Sequence, residues 1–322
     1  MSTALSFFAY FGHYAGAFLA IALSAIGATL GQGISFSGAA NALARQQESV
    51  KAIRQLQFLG LLLIESGPAL GLIFVIIFLF GSDLPATVPI GLVKASIGLS
   101  FGLSALFSGI AAGQAVNAAS HACARQPFMG KKLSTIMVLL EAFAEVSTIF
   151  SFIVGLIAFS KLSPDLTIQE GMKLSAACLT LSVATIGTGI AQAGLARSNI
   201  SAIGLNPYMY GKIRTFTLIT SAFIETPIFF AFFLAFKLFY TVTTHLHPIE
   251  CLSFYAITLA SGLGAAGPAI SATLVASKSA LQAALYPEQY EKLRKTTIFA
   301  QFLLESGAIY SLLLSIIISI VL

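Results

Sequence analysis

Four glutamates, Glu65, Glu145, Glu225 and Glu305, stand 80 residues apart, each inside an apolar run: LLIESGPALGL, AFAEVSTIFSF, AFIETPIFFAF and FLLESGAIYSL. A carboxylate in such surroundings is expensive, so it implies chemistry. Low dielectric disfavours its charged form, and a carboxyl there can hold a proton near neutral pH. Facing hydrocarbon it must be neutral or paired with a cation; facing water and a fixed positive charge it releases its ion. The pattern therefore points to reversible cation binding. Only one other acidic residue, Glu141, falls inside the apolar runs, one helical turn before Glu145.

The elements that carry these residues are membrane spans. The chain is 57% hydrophobic and only 9% charged, against roughly 25% in soluble domains. A span takes ~20 apolar residues. The sequence predicts an all-α membrane protein with eight transmembrane helices, near 13–42, 53–80, 89–122, 133–160, 171–203, 212–239, 250–283 and 294–321. They pair into four tandem helical hairpins, 12–80, 89–160, 170–240 and 250–322. Thirteen of the 17 Lys and Arg lie in or beside the loops inside the hairpins; Lys94, Lys161, Lys173 and Lys237 lie toward the other side. The positive-inside rule puts the hairpin loops in the cytoplasm and both termini opposite. The net charge of +5 comes from these short loops and is no nucleic-acid footprint. Trp is absent, so an interfacial belt falls to Tyr and Phe. Cys123, Cys178 and Cys251 lie far apart and read as small core residues. The N-terminus has no basic stretch before its apolar part and reads as a mature start.

Because each hairpin has two helices, the repeats insert in the same orientation, as parallel copies. On the same 80-residue ruler the first helices show columns of small residues: Ser24, Ser104, Ala184, Gly264; Ala28, Ser108, Thr188, Pro268; and Gly31, Ala111, Ala191, Ser271. Such columns share a helix face and allow close approach, which suits an inner wall. The second helices, rich in Phe and Leu, suit an outer wall facing lipid.

A glycine-rich first helix, GATLGQGISFSGAANALARQ, runs into a polar loop and then a helix with a buried Glu. In this the chain resembles the ring-forming c subunit (proteolipid) of rotary F-type and V-type ATP synthases, four times over. The loop motif is close in ARQQ (44–47) and ARQP (124–127), whereas GLNP (204–207) and ALYP (284–287) lack the Arg. The resemblance implies a rotor ring built with copies of the chain. Each of Glu65, Glu145, Glu225 and Glu305 would carry one cation round through the lipid bilayer, past a stator a-type subunit with an Arg. It also implies central-stalk subunits, met by loop residues Arg45, Gln46, Arg125 and Gln126. The expected home is a bacterial inner (plasma) membrane. No cofactor is implied beyond the transported ion. The chain shows no P-loop, metal cluster or nucleophile–base pair, so ATP chemistry would belong to a partner.

The transported ion is H⁺ or Na⁺. Sodium-binding members of the resembled family use a helix-one Gln, the Glu and a following hydroxyl. Here the Gln column reads Gln32, Ala112, Gln192, Ala272, and the hydroxyl column Ser66, Val146, Thr226, Ser306; Tyr310 fits one further position. Hairpins that lack the Gln carry Glu141 or Gln301 one turn before the Glu, as though the polar partner had moved between helices. That alternation suggests duplication of a two-hairpin unit. Glu141 is expected to hold Glu145 by a hydrogen bond rather than to bind a fifth ion. Pro68 and Pro227 each free a carbonyl four residues back, on Ile64 and Phe223, as a further oxygen or as a simple kink. A hard cation needs several oxygens at every site, whereas a proton needs one carboxyl, so H⁺ is favoured. His13, His121, His245 and His247 lie near span ends and read as interfacial. Two rival readings are a secondary transporter or channel with carboxylates lining a central path, and a scaffold proteolipid without ion traffic.

Overall fold

Length and hydropathy dictate the architecture. In the computed structural model, which describes residues 2–81, 84–243 and 246–321 (side chains from residue 9), eight helices are long and apolar enough to cross a membrane. His245 lies outside the described residues. The first hairpin is α1 (Ser2–Arg45) followed by α2 (Val50–Ile64) and α3 (Ser66–Phe80), which together form one outer helix interrupted at Glu65. The second is α4 (Val88–Arg125) with α5 (Gly130–Ser160), the third α6 (Ile168–Leu205) with α7 (Tyr210–Phe239), and the fourth α8 (Ser253–Leu285) with α9 (Tyr290–Val321).

Helix boundaries follow local chemistry. Pro89 sits in the first turn of α4, where an amide is unneeded. At the start of α6, Thr167 Oγ1 accepts from the Glu170 amide at 3.2 Å, and the Glu170 carboxylate accepts from the Thr167 amide at 3.3 Å, a reciprocal cap. Each hairpin turns through one extended residue (Gln46, Gln126, Asn206 or Tyr286) into a single 3₁₀ turn, which opens with Pro in hairpins two to four.

The helices form two layers. In the inner layer α1 packs on α4, α4 on α6 and α6 on α8; the outer helices touch one another more sparingly. Glycine makes the inner contact possible. A Cβ on Gly98 would overlap the Gly16 carbonyl oxygen, and one on Gly31 would overlap that of Gly109. Without a strong hydrophobic force between helices in lipid, this close backbone approach is what associates them. The columns of Ser24 and Ala28 have a different role from the expected one. Ser104 meets Ser151 of α5 at 2.6 Å, Ser108 reaches Glu145 of α5, and a Cβ on Gly264 would collide with Ser311 of α9. They seat the outer helix of their own hairpin, while other glycines join the inner helices.

Many outer-layer phenylalanines face outward, among them Phe58, Phe233 and Phe302. Others are packing residues: Phe74, Phe78 and Phe101 are fully buried, and Phe150 stacks on Phe232 across hairpins, with 4.3 Å between centroids. Neighbouring hairpins are also tied near their loops. Lys132 and Lys212 sit 5.4 and 5.2 Å from the ring centres of Tyr210 and Tyr290 in the next hairpin. At the other end Lys94 is wholly buried; its Nζ donates to the Phe78 carbonyl at 3.3 Å and lies 3.4 Å from the His13 ring nitrogens.

Gly98→Val is expected to destabilise the inner layer by about 2 kcal/mol or more, since overpacking against backbone leaves little room for relief. Thermal unfolding of the purified protein by circular dichroism reads this. Gly211→Ala, where a Cβ would meet nothing within 4 Å, should leave the midpoint unchanged.

Candidate functional site

The outer helices present the four glutamates to the inner layer at one level, and each finds a different polar setting. In the first hairpin Gln32 Nε2 donates to Glu65 Oε1. In the third the same pair recurs: Gln192 Nε2 donates to Glu225 Oε1 at 2.8 Å and to the Ser221 carbonyl at 3.5 Å. In the second, Ala112 occupies the Gln position, and Ser108 Oγ donates to Glu145 Oε1 at 2.9 Å. In the fourth, Glu305 has no hydrogen-bond partner among the described residues, and its Oε2 is buried. Ser108 was visible in the sequence only as a small residue; its position in a column that also holds Thr188 was the signal of a donor.

Burial distinguishes one site from the other three. Glu145, Glu225 and Glu305 are 8%, 3% and 7% exposed, whereas Glu65 is exposed. The cause is the neighbouring hairpin. Ser66 of the first hairpin lies beside Glu145 of the second, and Gly60 of the first borders Glu141. The second site is thus closed by the hairpin before it in the chain, and the first hairpin has none before it.

The supporting residues separate into two groups. Ser66, Thr226 and Ser306 donate to carbonyls of their own helix, on Leu63, Ala222 and Leu303, at 2.7, 3.1 and 2.7 Å. Tyr310 is exposed. Glu141 and Gln301 are 0% exposed, yet no polar atom of either side chain has a hydrogen-bond partner among the described residues. They therefore make no direct bond to Glu145 or Glu305, contrary to the expectation that Glu141 holds Glu145 in this way. Glu141 is enclosed instead by the preceding hairpin: a Cβ on Gly60 would come 2.9 Å from its Oε1.

The prolines act unequally. Near Pro68 the outer helix is interrupted at Glu65, whose ψ is −10°, while α7 runs unbroken through Pro227. Both prolines lack the amide that would bond the carbonyl four residues back. At the loops Arg45 and Arg125 are exposed, next to the extended Gln46 and Gln126. The three cysteines are free and buried.

An inner layer of glycine-bearing helices, an outer layer presenting one carboxyl per hairpin and a repeat of 80 residues define a class of multi-hairpin membrane proteolipids. The family described as the ATP synthase C subunit matches residues 15–78, 95–158 and 175–238, three segments on that same spacing. These segments cover more than half of the chain, and the chain belongs to this ATP synthase family. It is a membrane protein, a c-ring subunit with repeated hairpins.

Glu141→Gln is expected to leave ATP-driven ion uptake by membrane vesicles within about twofold of the parent. The fourth hairpin already carries the neutral isostere, Gln301, at this position, and a buried carboxyl without a donor is tolerated only in its neutral form. Loss of uptake would make Glu141 an exchanging site.

Proposed function

We propose that this chain supplies four proton carriers to the rotor ring of an ATP synthase, with Glu65, Glu145, Glu225 and Glu305 each holding one H⁺ while facing lipid. The reading rests on one observation: the carboxyl is the only group that all four sites share. Their partners are Gln32, Ser108, Gln192 and, for Glu305, none among the described residues. A hard cation needs a repeated set of oxygens, and a ring works only if every site takes the same ion. A proton makes no such demand.

In operation a glutamate in lipid stays neutral by holding its proton. Where it meets a water path and the fixed charge of a stator Arg, the charged form is stabilised and the proton leaves. A second path on the other side of that Arg reloads it. Rotation then couples proton flow to ATP chemistry in a soluble head formed by other subunits. Partners are the a-type stator subunit, the stalk and further copies of the chain. The stalk meets Arg45, Gln46, Arg125 and Gln126, which puts the hairpin loops on the cytoplasmic side of a bacterial inner membrane.

Replacing one carrier, by Glu145→Gln or Glu225→Gln, is expected to abolish coupled ATP synthesis in reconstituted vesicles, because a site that cannot ionise stops the ring at the stator. Retained synthesis would remove the rotor reading. Labelling of the four glutamates by a carbodiimide should proceed at the same rate with and without Na⁺; strong protection by Na⁺ would sink the choice of proton.

A further inference from the structure

The first inner helix carries an exposed aromatic face that its three counterparts lack. Tyr14 and Phe18 of α1 are 57% and 66% exposed. Their columns in the 80-residue repeat read Tyr14, Lys94, Leu174, Phe254 and Phe18, Gly98, Cys178, Thr258. All six later members are buried. Three of them show what covers these columns: the hairpin before. Lys94 Nζ donates to the Phe78 carbonyl near the end of α3. Gly98 lies on Gly16, and Thr258 Oγ1 donates to the Ala176 carbonyl at 3.0 Å. Gly16 and Ala176 are themselves members of one column.

The last hairpin shows the opposite side of the same joint. Ala256 continues the column of Gly16 and Ala176 and is exposed. Leu252 and Leu259, one turn to either side, are exposed as well, so Ala256 forms the floor of a notch between two leucines. In the column of Leu259, by contrast, Leu19, Leu99 and Leu179 are all partly buried. Each face is therefore open at the end of the chain where no hairpin adjoins it.

Size and linkage set this open joint apart. Along the column of Phe18 the side chain grows from Gly98 through Cys178 and Thr258 to phenylalanine. The three joints inside the chain are tethered by short linkers, which keep their partners at a high effective concentration. A joint between separate chains has no tether, and contact area has to replace it. One buried aromatic side chain covers about 150–250 Å². Depth favours the same use. Phe18 stands ten residues, about 15 Å of helix, from Ala28, whose column mate Ser108 bonds Glu145; Tyr14 stands about 21 Å away. In a bilayer centred on the glutamates the hydrocarbon ends ~15 Å from them, so Tyr14 lies where water returns and burial of a ring is driven.

We propose that α1 of a second copy docks on α8 of the first through an aromatic joint, with Phe18 in the notch over Ala256 and Tyr14 against the end of α9 beside Ile318. Ile318 holds the column of Phe78, whose carbonyl Lys94 reaches, and the Tyr14 hydroxyl donates to the Ile318 carbonyl in the same way. The contact runs head to tail, one end of the chain on the other, so it repeats around a closed ring. It differs in kind from the glycine joints within the chain. The inference rests on the ring reading for the presence of further copies; the repeat register supplies the side chains that meet.

The test uses the purified oligomer with Phe18 replaced by the photoreactive benzoylphenylalanine, which keeps the ring. On illumination it should join two chains, and digestion should place the bond in the peptide containing residues 252–259. Attachment to lipid alone, or within one chain, would overturn the proposal. A second variant, Tyr14→Ala with Phe18→Ala, should weaken association about thirtyfold, read as the dilution at which the detergent-solubilised oligomer dissociates in native mass spectrometry. The thermal midpoint of its helices should hold, since both side chains are exposed within one chain. Phe233→Ala, on the outward face of α7, should leave association unchanged. Undiminished association of the double variant, or an equal loss in Phe233→Ala, would sink the aromatic joint. Coupled ATP synthesis is read separately. Chains joined at residues 252–259 in a complex that does not couple uphold the joint while the rotor reading fails, and a coupling ring without that bond does the reverse.

Discussion

The two layers answer one constraint: a carboxyl placed inside an apolar helix has to be kept neutral or given a partner. That demand explains the two layers. An outer helix alone could not shelter its glutamate, so three of the four are seated against an inner helix that offers an amide or hydroxyl, as Gln32, Ser108 and Gln192 do, while Glu305 is buried without such a partner among the described residues. The inner helices in turn must stand close enough for one hairpin to close the site of the next. Their glycines allow this, with Gly16 and Gly98, or Gly31 and Gly109, in backbone contact. Packing and ion chemistry are thus linked: the small residues set the spacing at which Ser66 can lie beside Glu145.

Much of this was legible in the sequence. Hydropathy and an 80-residue spacing identify eight spans in four hairpins, because both are carried by local composition. The four glutamates and the Gln32 and Gln192 partners were legible for the same reason, since one ruler reads them all. What the sequence obscured was direction. The columns of Ser24 and Ala28 were recognisable as small, but not that they look to the outer helix of their own hairpin; a helix has several faces, and residue size does not say which neighbour each meets. Glu141 misled for a related reason. Its spacing of one turn from Glu145 puts both on one face, yet hydrogen bonding also depends on side-chain rotamers and on what the adjacent hairpin places there, here Gly60.

Lys94 shows the same limit. In the charge count it was one of four lysines toward the side opposite the hairpin loops, while the structure buries it against His13 and the Phe78 carbonyl of the first hairpin. Charge counting along a chain assigns sides of a membrane, and it carries no information about which cations turn inward.

For the rotor proposed above, fusing four unequal hairpins would have a kinetic consequence. In a ring of identical single hairpins every site presents the same affinity, and rotation advances over a uniform series of barriers. Here the polypeptide fixes an order in which a Gln-bonded, a Ser-bonded, a second Gln-bonded and an unbonded carboxyl follow one another. In that rotor the energy profile for turning would be a staircase of unequal treads, repeated once per chain. The dwell of each step would be encoded in covalent sequence, and the rhythm of such a motor could evolve one hairpin at a time.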